Sequence, residues 1–171
     1  MVNLFFYIDA NGRTNMATFS IESNGRLEKT AVYLNGEQLG GVKEVFLNLD
    51  ENGAFDAIIQ YEGTDKNIYS KQIFSDYLEG LRVVEPTFTE EEAEQLHLLT
   101  VESSGEIDST IVYYDDQELE GIVSLFVHIK GTNQSTGLRS LFRKEIPDHV
   151  EFKAEITFRN EDDSIEVERA F

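Results

Sequence analysis

Two stretches of the chain repeat one another at a fixed spacing, and no other feature limits the fold as strongly. Residues 18–50 align without a gap on residues 98–130 at an offset of 80, with nine of 33 positions identical. The identities are Glu22/Glu102, Ser23/Ser103, Gly25/Gly105, Thr30/Thr110, Val32/Val112, Tyr33/Tyr113, Leu39/Leu119, Gly41/Gly121 and Phe46/Phe126. The match resumes at an offset of 97, where residues 55–74 meet residues 152–171 and close on Phe74 and Phe171. Between its matched blocks the second copy carries 17 extra residues.

Within each copy the apolar residues alternate, as in Phe152-Ala154-Ile156-Phe158 and its counterpart Phe55-Ala57-Ile59-Tyr61. That is the period of a half-buried strand. Turn signals punctuate the runs at Asn24-Gly25, Asn35-Gly36, Asn52-Gly53 and Gly63-Thr64-Asp65. The expectation is an all-β fold, a tandem duplication of an antiparallel meander of about five strands. The strands are placed near 17–22, 27–34, 42–49, 54–62 and 67–74, and near 97–102, 107–114, 122–129, 150–159 and 164–170. Gly40-Gly41 reads as a bulge or tight bend. A copy of about 57 residues buries only a modest core alone, so the copies are expected to complete one another. A pseudo-twofold sandwich, one closed barrel of about ten strands, and two side-by-side barrels all meet that need, the first two best.

Three regions follow: residues 1–74, an N-terminal strand plus the first repeat; residues 75–97, an acidic linker; and residues 98–171, the second repeat with an insertion at about 131–147. Thr89 and Glu92 in the linker have capping-box spacing and Phe88 with Ala93 that of a hydrophobic staple, which predicts one short helix at about 90–96. Glu90 and Glu91 fall in its first turn, where the helix dipole favours them.

Charge narrows the function. With 33 acidic against 14 basic residues the net charge is −19, a surface that repels phosphate backbones and anionic lipid. No run of ~18 apolar residues offers a transmembrane helix. Met1–Ile8, MVNLFFYI, lacks the basic start and cleavage site of a secretory signal and reads as a strand. With no cysteine in the chain, a cytoplasmic protein is expected.

Nothing in either copy forms a catalytic motif. His97, His128 and His149 are far apart, and no metal-binding histidine spacing occurs. Asp50, Asn52, Asp56, Asp162 and Asp163 cluster oxygen donors in turns, without the register of a calcium loop. The expectation is a protein without enzymatic activity, cofactor or metal: an acidic protein-binding module of the inhibitor, immunity or anti-defence kind, engaging a basic partner. The residues expected at that contact are Glu90, Glu91, Glu92 and Glu94 of the linker, Asp162 and Asp163 of the last turn, and Arg139, Phe142 and Arg143 of the insertion. The insertion stands out because residues 130–147 carry net charge +3 in an otherwise acidic chain. The alternative is a small-ligand-binding barrel with that insertion as a lid. Exposed sheet edges also admit a homodimer.

Overall fold

The computed structural model describes residues 16–131 and 151–171, which fold into two antiparallel sheets. The expected strand at Met1–Ile8 and most of the insertion, with Arg139, Phe142 and Arg143, lie outside the described residues.

The first sheet has seven strands, in the order β10-β9-β8-β1-β2-β3-β7. These are β1 (Ala17–Ser23), β2 (Ala31–Leu34), β3 (Glu37–Gly40), β7 (Arg82–Val83), β8 (His97–Ser103), β9 (Ile111–Tyr114) and β10 (Gln117–Glu118). The second sheet has six, in the order β13-β12-β11-β4-β5-β6. They are β4 (Val42–Asp50), β5 (Phe55–Glu62), β6 (Ile68–Gln72), β11 (Ile122–Lys130), β12 (Glu151–Arg159) and β13 (Ile165–Arg169). Alternation does what it predicts. Val45, Leu47 and Leu49 of β4 are buried while the residues between them are not, and Phe19 and Ile21 of β1 behave likewise. Side chains from both sheets join one hydrophobic cluster, in which Phe19, Ile21, Leu47, Ile59, Tyr61, Leu99 and Val127 are almost wholly buried.

The two sequence copies meet at the middle of each sheet. β1 pairs with β8, where Ser20 faces Thr100 and their hydroxyls bond at 2.8 Å. β4 pairs with β11, where Leu47 faces Val127. In each seam one pair, Ser20/Thr100 in the first and Leu47/Val127 in the second, is 80 apart, so there alone a residue faces its own counterpart in the sequence repeat, and the remaining pairs are disposed evenly about it. From either seam the same three strands follow outward in the same order.

Three expectations need correcting. Strands do not begin at 27 and 107; Leu27–Lys29 and Ile107–Ser109 are single 3-10 turns. The reason is a side-chain network: the Ser23 hydroxyl bonds Thr30 at 2.7 Å and accepts from the Gly25 N–H, and Ser103, Thr110 and Gly105 do the same. These bonds compete with a ladder and hold the chain in a bend. The hairpin beyond Asn35-Gly36 adds its own strand, so each copy contributes six strands rather than five, and the linker contributes β7. The ten-stranded closed barrel does not form: the six-stranded sheet ends in β6 and β13 and the seven-stranded one in β10 and β7, without closure among the described residues.

The linker helix α1 spans Glu90–Ala93, shorter than 90–96. Its capping box is complete, with Glu92 N–H donating to Thr89 Oγ1 at 3.2 Å and Thr89 N–H to the Glu92 carboxylate at 3.0 Å. Tighter bonds from Gln95 to Glu92 and from Leu96 to Ala93 then end it. No helix among the described residues is long and apolar enough to cross a membrane.

Candidate functional site

The nine repeated identities separate into those the fold uses and those it leaves facing outward. Ser23, Gly25, Thr30 and their counterparts build the two bends, Val32 and Val112 are buried, and Leu39 and Leu119 flank the grooves described below. Gly41 and Gly121 turn the chain from one sheet into the other, both at φ +72°. Three pairs remain. Glu22/Glu102 and Tyr33/Tyr113 lie on the outward face of the seven-stranded sheet, where the Tyr33 hydroxyl donates to Glu22 at 3.0 Å. Burial, with Glu22 beside it, pushes the Tyr33 phenol up to about 12. Tyr113 is also raised, by burial and the charges of Glu102 and Glu118.

The third pair, Phe46 and Phe126, stands beside the central seam on the outward face of the six-stranded sheet. Their rings meet edge to face at 5.7 Å. His128 stands edge-on to Phe46, and its two ring nitrogens face Glu44 at 2.7 Å and Glu151 at 3.0 Å. The Lys153 ammonium lies 5.3 Å from the centre of the Phe126 ring. This is a half-buried aromatic patch rimmed by charge, the anatomy of a contact surface. Sequence reasoning passes over it because β4 and β11 carry apolar residues on both faces, which blurs the period. The signal that finds it is parity: Phe46 is out of step with Val45, Leu47 and Leu49, yet recurs 80 residues on.

The expected acidic contact residues are exposed but fall into separate places. Glu90, Glu91, Glu92 and Glu94 all lie on or beside α1, and none forms an ion pair among the described residues. The same linker exposes Tyr77, Val83 and Val84, and Phe88 lies under the Lys29 ammonium at 5.6 Å. Asp162 and Asp163 occupy the turn between β12 and β13. There the Asp162 carboxylate accepts the Ser164 hydroxyl and N–H, which hold it below the usual carboxylate range. The two clusters sit at opposite ends of β11. Arg159 N–H bonds the Gly121 carbonyl at one end, while Leu27, in the turn that carries Lys29, abuts Gly131 at the other. Nine strand residues, about 30 Å, separate those ends.

The other acidic turns have local duties. Asp50 accepts the N–H groups of Asn52 and Ala54, and Asp65 that of Asn67. His97 bonds Asp115 at 2.8 Å and stacks on Tyr114. Burial pushes the Asp115 carboxyl up, but the Leu98 N–H and the His97 ring outweigh it and hold it low. No group of three or more potential metal-ligating side chains converges among the described residues.

Two grooves of about 300 Å³ open between the sheets. One is lined by Leu27, Thr30, Val32, Gln38, Leu39 and Val45, with Ile129 from the other copy. The second is lined by Ile107, Thr110, Val112, Glu118, Leu119 and Leu125, with Leu49. Each residue of one is 80 positions from its counterpart in the other, so the repeat extends to concave surface as well as to strands. No protein-family model matches the chain, and neither the curated proteins nor the solved structures yield a match.

Proposed function

We propose that the protein is a non-enzymatic, acidic binding module that engages a basic protein partner, in the manner of an inhibitor or immunity protein. The observation that carries this reading is the linker surface. Four carboxylates without ion-pair partners among the described residues stand at a helix start held by a complete capping box, in the same linker that exposes the side chains of Tyr77, Val83 and Val84. Ordered charge and exposed aromatic and aliphatic groups on one linker suit protein recognition: the charges speed encounter and the apolar groups supply the affinity. The net charge of −19 favours a basic partner and disfavours nucleic acid and anionic membrane.

The scaffold reading goes with it. We take the two sheets as the layers of a sandwich whose copies are related by a pseudo-twofold axis through the Ser20/Thr100 and Leu47/Val127 pairs. The support is the shared offset of strand order, register and grooves. Such a scaffold presents its surfaces rigidly and in duplicate, while the linker, which occurs once, gives it a distinct side.

The test is an affinity pull-down from the source organism's lysate at low and raised salt, with mass spectrometry of the retained proteins. A stoichiometric basic protein that leaves as salt rises is the expected result. Retention unchanged by replacing Glu90, Glu91, Glu92 and Glu94 with Gln would remove the linker from the contact.

A further inference from the structure

Three Asn-Gly pairs lie among the described residues, at 24–25, 35–36 and 52–53, and all three asparagines are exposed. Such a pair can lose ammonia: the main-chain nitrogen of the glycine attacks the asparagine Cγ, a cyclic imide closes, the side-chain nitrogen leaves as ammonia, and water reopens the ring. The three pairs differ in how the attacking nitrogen is held. The Gly25 N–H donates to the Ser23 hydroxyl at 3.0 Å, and the Gly53 N–H to the Asp50 carbonyl at 3.1 Å. Gly36 differs. Leu34 pairs directly with Glu37, so Asn35 and Gly36 form a two-residue hairpin loop at φ +51° and +82°, and the ladder does not use the Gly36 N–H. Among the described residues that N–H meets no acceptor, and a Cβ added at Gly36 would find nothing within 4 Å.

The group under attack is held as well. Thr18 N–H donates to Asn35 Oδ1 at 3.0 Å. That oxygen takes up the negative charge as the ring closes, so the Thr18 N–H is an oxyanion donor already in place. The Asn24 amide oxygen also accepts a main-chain N–H, from Arg26 at 3.1 Å, but there the attacking nitrogen is tied to Ser23. Only the hairpin at 35–36 joins a supported carbonyl to an unengaged nucleophile. We propose that Asn35 is a deamidation site built into the β2–β3 hairpin, and that the fold accepts the aspartate it becomes.

The second copy carries the product's side chain in the same loop. At the offset of 80, Asn35 becomes Asp115 and Gly36 becomes Asp116, with φ +49° and +65°. The Asp115 carboxylate accepts the Leu98 N–H at 2.8 Å, as the Asn35 amide accepts that of Thr18. The two main-chain bonds match too, Asp115 N–H to Leu98 and Asn35 N–H to Thr18, both at 2.8 Å. A carboxylate at position 35 replaces a neutral acceptor by a charged one, which strengthens the bond. Opening the ring at the side-chain carbonyl gives that aspartate, with water taken up, ammonia lost and one negative charge gained. Opening it at the main-chain carbonyl puts a methylene into the hairpin backbone, which the direct Leu34/Glu37 pairing opposes.

Peptide mapping by mass spectrometry tests the assignment, on the full chain held at mildly alkaline pH in buffer and in denaturant. In buffer Asn35 is expected to convert at least about fivefold faster than Asn24 and Asn52, the factor that one hydrogen bond on the attacking nitrogen is worth. In denaturant, where the three sites share only the Asn-Gly sequence, the rates should converge. Equal rates in buffer, or a lead for Asn35 that persists in denaturant, would overturn the assignment. A transplant gives a second measurement. Asp115→Asn with Asp116→Gly rebuilds the pair against the Leu98 N–H and should deamidate alongside Asn35; an asparagine that stays intact there would overturn the assignment as well. Asn35→Asp, the product made directly, should unfold at the denaturant concentration of the original chain or above it. A clearly lower midpoint would show that the fold rejects the product.

Discussion

Substituting alanine for Gly41 and for Gly121 should cost different amounts although the two share one backbone conformation. Both turn the chain from the first sheet into the second at φ +72°. A Cβ in this left-handed region costs about 1–2 kcal/mol, offset by about 0.5 kcal/mol from stiffening the unfolded chain. Around Gly121 a new Cβ would meet only the Arg159 carbonyl, at 3.1 Å, so the net loss stays near ~1 kcal/mol. Around Gly41 it would lie 2.7 Å from the Glu62 carbonyl and against the Arg82 guanidinium. Arg82 can swing away, losing its bond to the Glu62 carbonyl, but Glu62 belongs to the ladder, where its N–H donates to Gly41. Overpacking against backbone adds about 1–3 kcal/mol. With a urea m-value of about 2 kcal/mol/M, the unfolding midpoint should fall by roughly 0.5 M for Gly121→Ala and roughly 1–2 M for Gly41→Ala. Gly36→Ala, at φ +82° with nothing within 4 Å, isolates the conformational cost. Equal shifts for Gly41 and Gly121, or a larger one for Gly121, would refute the claim that the β5 carbonyl of Glu62, with Arg82 beside it, crowds the first corner more than the β12 carbonyl of Arg159 crowds the second.

Leu47→Ala, which deletes a fully buried side chain at the central seam, should destabilise by about 3–5 kcal/mol in the same denaturation assay; a loss under about 1 kcal/mol would mean that the seam is loosely packed. Burial pushes the Tyr33 and Tyr61 phenols up to about 12, so both must be protonated in the fold at a pH where the unfolded chain ionises them near 10. The contribution of these two phenols to stability is therefore whole below about pH 10 and declines from there to about pH 12, and absorbance titration should show Tyr33 and Tyr61 among the late-ionising tyrosines, each lost from that phase by its Phe substitution. Replacing the four linker glutamates by Gln should slow association with a basic partner and flatten its salt dependence. It should leave the unfolding midpoint nearly unchanged, because glutamine at position 92 still closes the capping box.

Legibility in the sequence followed physical scale. A strand such as β12 is readable because burying one face imposes a two-residue period over nine residues. β7 is two residues long, in an acidic stretch just before Pro86, and pairs with β3 across more than forty positions, so no local pattern announces it. Leu27 and Ile107 resemble strand starts, and only the serine–threonine bonds around them decide for a bend. The acidic linker is visible in composition alone. The grooves are not, because each takes its lining from both copies, Ile129 joining Leu39 and Leu49 joining Leu119.

The two seams also set an order of events during synthesis. Ser20 waits for Thr100 and Leu47 for Val127, so the sheet halves made first have no partner until most of the chain exists. Contacts this distant are slow to close. Until they do, the inner edges of β1 and β4 stand open on the nascent chain, with only like charges among its many carboxylates to keep neighbouring chains from pairing there first.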